Sequence, residues 1–186
     1  TLTRNEMTVT EAWTYQNSVH FTGTGYNPSG KLIINGNGQI KIPDDIQALL
    51  INAVLCNDAA LNSDEGKWTI TGDPTEAALL VAASKAKLNI EDTQTLFKRI
   101  NVFPFDSQNQ YMATLNYKDE NIVIIKGAPE VVLNKCDGSY GEIPLNKEVI
   151  TAEILRMGKN GMRVLAIAQK KWTANGGTGL ELEGLG

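Results

Sequence analysis

Two runs rich in β-branched and aromatic residues, 111–117 and 121–125, are separated by only three polar residues, Lys118-Asp119-Glu120. So short a link closes a hairpin and leaves no room for the crossover of a dozen or more residues that parallel strands require. The same pattern opens the chain, where strand-like residues 7–14 and 18–24 flank Gln16-Asn17. Helical signals lie between and after these pairs. Ile46, Leu49, Leu50, Ala53 and Val54 recur at amphipathic spacing behind Pro43-Asp44, which predicts a helix to about Cys56. Asp73-Pro74-Thr75-Glu76 supplies an N-cap, a proline at the first helical position and an acid at the third, which predicts a second helix to about Ala86. Further helices are expected at 92–98, from Pro129 to about Lys135, and over 146–159, where Gly161 ends the last one. Strands are also expected at 31–35 and 163–171, with 61–66 as a loop that leads into Lys67-Trp68-Thr69-Ile70. Hairpin strands alternating with helical pairs predict an α+β fold, a mainly antiparallel twisted sheet of about six or seven strands flanked by helical hairpins.

Composition narrows the function. A chain of 186 residues, 42% hydrophobic and 20% charged, fits one globular domain with a real core. The formal net charge of −4 argues against a nucleic-acid partner, whose phosphates call for clustered Lys and Arg. No apolar run approaches the ~20 residues that cross a bilayer, and Thr1-Leu2-Thr3-Arg4-Asn5-Glu6 has no signal-peptide character. Cys56 and Cys136 lie far apart, which fits a reducing compartment better than a disulfide framework. The abrupt start at Thr1 and the Gly-rich stretch 175–186 read as the ends of an excised piece.

Several motifs fail on their chemistry. Gly25-Tyr26-Asn27-Pro28-Ser29-Gly30-Lys31 approaches a P-loop, but Leu32 replaces the magnesium-holding hydroxyl and a strand follows where a helix is needed, so it reads as a turn. His20 is the single histidine and alternates with Val19 and Phe21 in a strand, with no second ligand at metal spacing. Residues 62–66 lack calcium-loop spacing, and no Gly-x-Ser-x-Gly elbow presents a nucleophile. Neither a metal site nor a catalytic residue is expected.

Four segments do carry a pattern together: Gly72-Asp73-Pro74-Thr75-Glu76-Ala77-Ala78, Phe103-Pro104-Phe105-Asp106-Ser107 ending in Met112, Lys126-Gly127-Ala128-Pro129-Glu130, and Gly161-Met162-Arg163-Val164-Leu165-Ala166. Adenine presents a flat π-face and an exocyclic amine donor, to which Phe105 and Glu76 offer a ring and an acceptor. Lys126 beside Gly127, and Arg163 behind Gly161, offer cations next to backbone that a triphosphate can approach. Taken singly each residue has a plainer reading. Glu76 suits a capping box with Asp73, Phe105 ordinary core, Lys126 a solvated strand end, Arg163 a helix-exit cation and Asp106 a turn.

In order and spacing these segments resemble the nucleotide-binding domain of the P-type cation-transporting ATPases, the branch of calcium pumps and sodium/potassium pumps. Thr1-Leu2-Thr3 also resembles the end of that family's phosphorylation motif, so the likeness covers essentially the whole chain. It implies residues 1–175 as the nucleotide-binding domain, 1–6 as the remnant of a link from a phosphorylation domain, and 176–186 as the Gly-rich link back. It implies that Phe105 stacks on adenine, Glu76 sits by the base, Lys126 lines the pocket and Arg163 reaches toward the phosphates, while Thr75, Ser107, Gly127 and Leu165 complete the wall. It further implies ATP or ADP as ligand, magnesium needed by the parent but not held by this chain, and an isolated domain that is monomeric and does not hydrolyse ATP. The partners implied are the phosphorylation and actuator domains of the same parent, an ATP-driven transporter of calcium or another cation, of which this chain is a cytoplasmic domain. Gln110 departs from the family, which usually has lysine two residues before the methionine equivalent to Met112. The alternatives are a docking or regulatory domain that binds no nucleotide, and a stand-alone phosphotransferase.

Overall fold

A computed structural model describes residues 6–37, 41–141 and 143–172. Of the expected linking segments, 176–186 and all of 1–6 but Glu6 lie outside the described residues. The chain divides into two compact units between Leu96 and Phe97.

The first unit opens with three short antiparallel strands, β1 (Glu11–Trp13), β2 (Ser18–Phe21) and β3 (Leu32–Ile34), in that spatial order. Their inward residues Val19, Phe21 and Ile34 are buried with Ile46, Leu50 and Val54 of α1 (Asp44–Leu55). His20, between two inward residues, points outward and is exposed. Leu32 begins a strand, as expected once the P-loop is rejected. The segment 61–66, expected as a loop, is instead a hairpin of β4 (Ala60–Asp64) and β5 (Lys67–Thr71). Its polar residues hid the strand, because this narrow ribbon is largely exposed, but Glu65 and Gly66 take φ values of 47° and 80°, as a two-residue type I′ turn requires. Next comes α2 (Pro74–Lys85), capped by Asp73, whose Oδ1 accepts the Thr75 and Glu76 N–H groups at 2.8 and 3.2 Å. Its Ala77, Leu80, Ala82 and Ala83 join the same core, and α3 (Ile90–Leu96) closes the unit.

The second unit is built on four antiparallel strands, β6 (Lys98–Asp106), β7 (Tyr111–Tyr117), β8 (Asn121–Gly127) and, after an excursion, β11 (Ala166–Lys171). Their spatial order is β11-β8-β7-β6. The excursion holds α4 (Pro129–Asn134), the two-residue pair β9 (Gly138–Ser139) and β10 (Ile143–Pro144), and α5 (Lys147–Lys159). Asn146 caps α5 by accepting the Glu148 and Val149 N–H groups, both at 3.1 Å. Gly161, at φ 76°, ends it: its N–H reaches the Gly158 carbonyl and the Met162 N–H reaches that of Met157, the paired bonds of a Schellman stop. The expected strand 163–171 therefore starts only at Ala166, because 162–165 are still leaving the helix. The expected helix 92–98 lies at 90–96, and Lys98 already belongs to β6.

The α+β class and the antiparallel sense hold throughout, since every described strand pair is antiparallel. Among the described residues the strands fall into sheets of three, two, four and two.

Candidate functional site

The second unit's sheet sets most of the expected residues by register. Met112 of β7 is opposite Lys126 of β8, which is opposite Ile167 of β11. Directly opposed residues share a face, so these three form one row across the sheet. The adjacent row, Ala113, Ile125 and Ala168, faces the other way and packs on Val132 of α4 together with Phe103 and Tyr111. The Phe103 and Tyr111 rings are stacked there with centroids 5.5 Å apart, and the Lys135 ammonium lies 5.4 Å from the Tyr111 ring.

Phe105 escapes that side through a bulge. Phe103 pairs with Ala113 and Asp106 with Tyr111, so Pro104 and Phe105 together oppose the single residue Met112. A strand in step would send Phe105 to the α4 face with Phe103. The extra residue returns it to the face of Met112 and Lys126, where its side chain is 62% exposed. Lys126 is sheltered at 5% exposure, so its charge is less screened than that of a solvated lysine.

The turn joining β6 to β7 is tightly bonded. Asp106 Oδ1 accepts the N–H groups of Gln108 and Asn109 at 2.7 and 3.1 Å, and its carbonyl accepts that of Gln110 at 2.7 Å. The turn role expected for Asp106 is thus what the structure shows. Ser107 is exposed within this turn, and Gln110 takes a left-handed φ of 61°. The Gln110 carbonyl accepts the Ala128 N–H at 2.9 Å and seats the turn against the end of β8. A Cβ on Gly127 would lie 2.4 Å from that carbonyl oxygen and 2.6 Å from Tyr111 Cβ. The close approach that Gly127 permits is therefore made by the chain's own neighbouring strand. Arg163 is exposed just past the Schellman stop, and half-buried Leu165 precedes Ala166, the register partner of Gly127.

Thr75 and Glu76 belong to the first unit, in the first turn of α2. The Glu76 carboxylate accepts the Asp58 N–H at 3.0 Å, and its carbonyl accepts the Asn57 side-chain amide at 2.9 Å. These bonds brace the start of α2 on the segment after α1, a pairing without a sequence signal. A carboxylate has about four acceptor positions, so this bracing and a base amine are compatible. The bulge did leave a signal, since proline inside a strand marks an edge or an irregularity, and Pro104 is both.

Among the described residues no group of three or more His, Cys, Asp or Glu side chains is placed to hold a metal ion, and no helix is long and apolar enough to cross a membrane.

Residues 45–179 match the family described as P-type ATPase, cytoplasmic domain N. The chain is 38% identical over 175 residues to the probable cation-transporting ATPase F of Mycobacterium tuberculosis, a match covering 89% of this chain and 19% of that protein. It is 31% identical over 180 residues to the calcium-transporting ATPase of Bacillus subtilis, covering 91% and 20%. It is also 31% identical over 181 residues to the calcium-transporting ATPase type 2C member 1 of Bos taurus, covering 90% and 18%. The chain spans about a fifth of the length of these relatives.

Proposed function

The chain belongs to the P-type ATPase cytoplasmic N-domain family, and on that premise we propose that it binds ATP and presents it for phosphorylation of an aspartate in a neighbouring domain of its parent. The observation that carries this reading is Phe105, an aromatic ring left 62% exposed by a bulge that turns it to the face of the sheltered Lys126. An exposed ring of that size has an unfavourable contact with water that a flat heteroaromatic base relieves. A cation on the same face suits the phosphates of the same ligand.

In this proposal Phe105 stacks on adenine, Lys126 draws the phosphates, and Arg163, beyond the Schellman stop, reaches the phosphate end. Ser107, Gly127 and Leu165 line the wall. The resemblance adds Glu76 by the base and Thr75 beside it. Magnesium serves the phosphoryl transfer of the parent, and the chain alone binds nucleotide without it and releases no phosphate. The phosphorylation and actuator domains of the parent are its partners, and domain closure brings the bound γ-phosphate to the aspartate. The parent transports calcium or another cation, the activity printed in the names of the relatives.

Affinity for the isolated chain is expected on the order of 0.1–10 mM, because part of the ligand faces a domain that this chain does not supply. Titration of the 186-residue chain with ATP, followed by NMR, should give saturable shifts at Phe105 and Lys126. Absence of such shifts up to tens of millimolar would instead favour a docking domain.

A further inference from the structure

The sequence gives Asp106 the part of an ordinary turn residue, but its bonds reach further. Its carboxylate and carbonyl hold three successive N–H groups, those of Gln108, Asn109 and Gln110. Gln110 in turn is locked to Ala128, next to Lys126 and Gly127, by the 2.9 Å bond from the Ala128 N–H. Asp106 is also the residue at which β6 comes back into register with β7 after the bulge. One side chain therefore sits at the junction of the element that aims Phe105 and the element that ends beside Lys126.

We infer that Asp106 is the positioning residue of this site: it fixes the 106–110 turn and the end of the bulge, and so holds the Phe105 ring on the face that carries Lys126. The inference rests on the proposed nucleotide site and adds to it a residue that touches no ligand. Without the Asp106 carboxylate the Gln108 and Asn109 N–H groups turn to water, the 106–110 turn loosens, and the extra residue of β6 is no longer pinned to one position. Phe105 then samples both faces of the strand, and only part of the population presents its ring to a base. Apparent affinity falls in proportion to that part.

The test is a double-mutant cycle in the full chain, read by ATP and adenosine titration. Asp106→Ala should raise both dissociation constants about five- to tenfold, an effect of the size expected for two side-chain bonds to backbone. Asp106→Asn keeps an acceptor oxygen and should bind within about twofold of the unmodified chain. In a Phe105→Ala background, Asp106→Ala should add nothing further, because its effect passes through the ring. A merely structural role would add its full loss in that background, and this result would overturn the inference. In case Phe105→Ala binds too weakly to measure, NOEs of the Phe105 ring in the nucleotide-free chain provide a second readout. They should change in Asp106→Ala and persist in Asp106→Asn, and an unchanged pattern in Asp106→Ala would also overturn the inference. If the unmodified chain shows no saturable binding, the proposed function falls, whereas normal ATP and adenosine binding by Asp106→Ala defeats the positioning role alone.

Discussion

Asn17 donates its side-chain amide to both carboxylate oxygens of Asp45, at 2.8 and 3.0 Å. Thr14 donates its hydroxyl to the same carboxylate, which is buried in the first turn of α1. The hairpin of β1 and β2 is thus tied to the helix through one acid. Asp45→Ala should lower stability by about 2–4 kcal/mol, since it takes the charged acceptor from the Asn17 amide and leaves the Thr14 hydroxyl only the Asn17 carbonyl. Asp45→Asn should recover only part, because its amide brings donor against donor at Asn17. Urea unfolding curves of the three chains test the order.

Nucleotide recognition should lean on the ring more than on the outer cation. Phe105→Ala is expected to raise the ATP dissociation constant about tenfold or more, the size of an aromatic–base stack. Arg163→Lys keeps the charge and loses only the guanidinium geometry, so a smaller rise is expected. The reverse ranking in a titration would show that phosphate contacts dominate.

Gln110 stands where the family resemblance leads one to expect lysine. Its left-handed backbone is one that Lys87 also adopts in this chain, at φ 61°, so Gln110→Lys should fold normally. Added charge there should tighten ATP about two- to fivefold, AMP less, and the gain should fade in high salt. Equal gains for ATP and adenosine would place the new ammonium away from the phosphates.

Gly127→Ala puts a methyl group 2.4 Å from the Gln110 carbonyl oxygen, against backbone on both sides of the β7 start. It should cost about 1–3 kcal/mol and disturb amide shifts of residues 106–111 before any ligand is added. Shifts confined to residue 127 would show that the turn is not seated on β8.

Lys85 is 6% exposed, its ammonium donates to the Gly23 carbonyl at 3.0 Å, and burial lowers its pKa below the usual 10.5. The unfolded chain then holds this proton more firmly than the folded one. The cost of the buried charge is constant below the folded pKa and disappears as pH rises through it toward that of unfolded lysine. Relative to Lys85→Met, the unmodified chain should gain stability as pH rises through the alkaline range below the usual lysine pKa. Parallel urea midpoints for the two chains across that range would exclude the effect.

Helix ends were the most legible part of the fold, because Asp73-Pro74, Asn146 and Gly161 act on donors and acceptors within a turn of themselves. The hairpin of β7 and β8 was legible for the same reason, as its polar turn is local. β4 was not, since Asn62, Ser63 and Asp64 carry no apolar alternation, and β9 and β10 are too short to leave a pattern. The partition into separate sheets depends on which distant strands meet, and no local propensity encodes that. Residue types at the candidate site could be read from four segments taken together. The bonds that brace Glu76 on Asp58 could not, because they arise from packing, and the bulge under Phe105 left only Pro104 inside a strand, which marks an irregularity but not the face it aims.

The two-against-one pairing of Pro104 and Phe105 with Met112 can lose its extra residue without turning the ring over, a tolerance invisible to residue-by-residue comparison. A three-nucleotide deletion that removes Pro104 would leave Phe105, Lys126 and Arg163 in the chain. It would also set Phe105 beside Phe103 and opposite Met112, in step and still on the Lys126 face, so this strand can lose a letter and keep its platform.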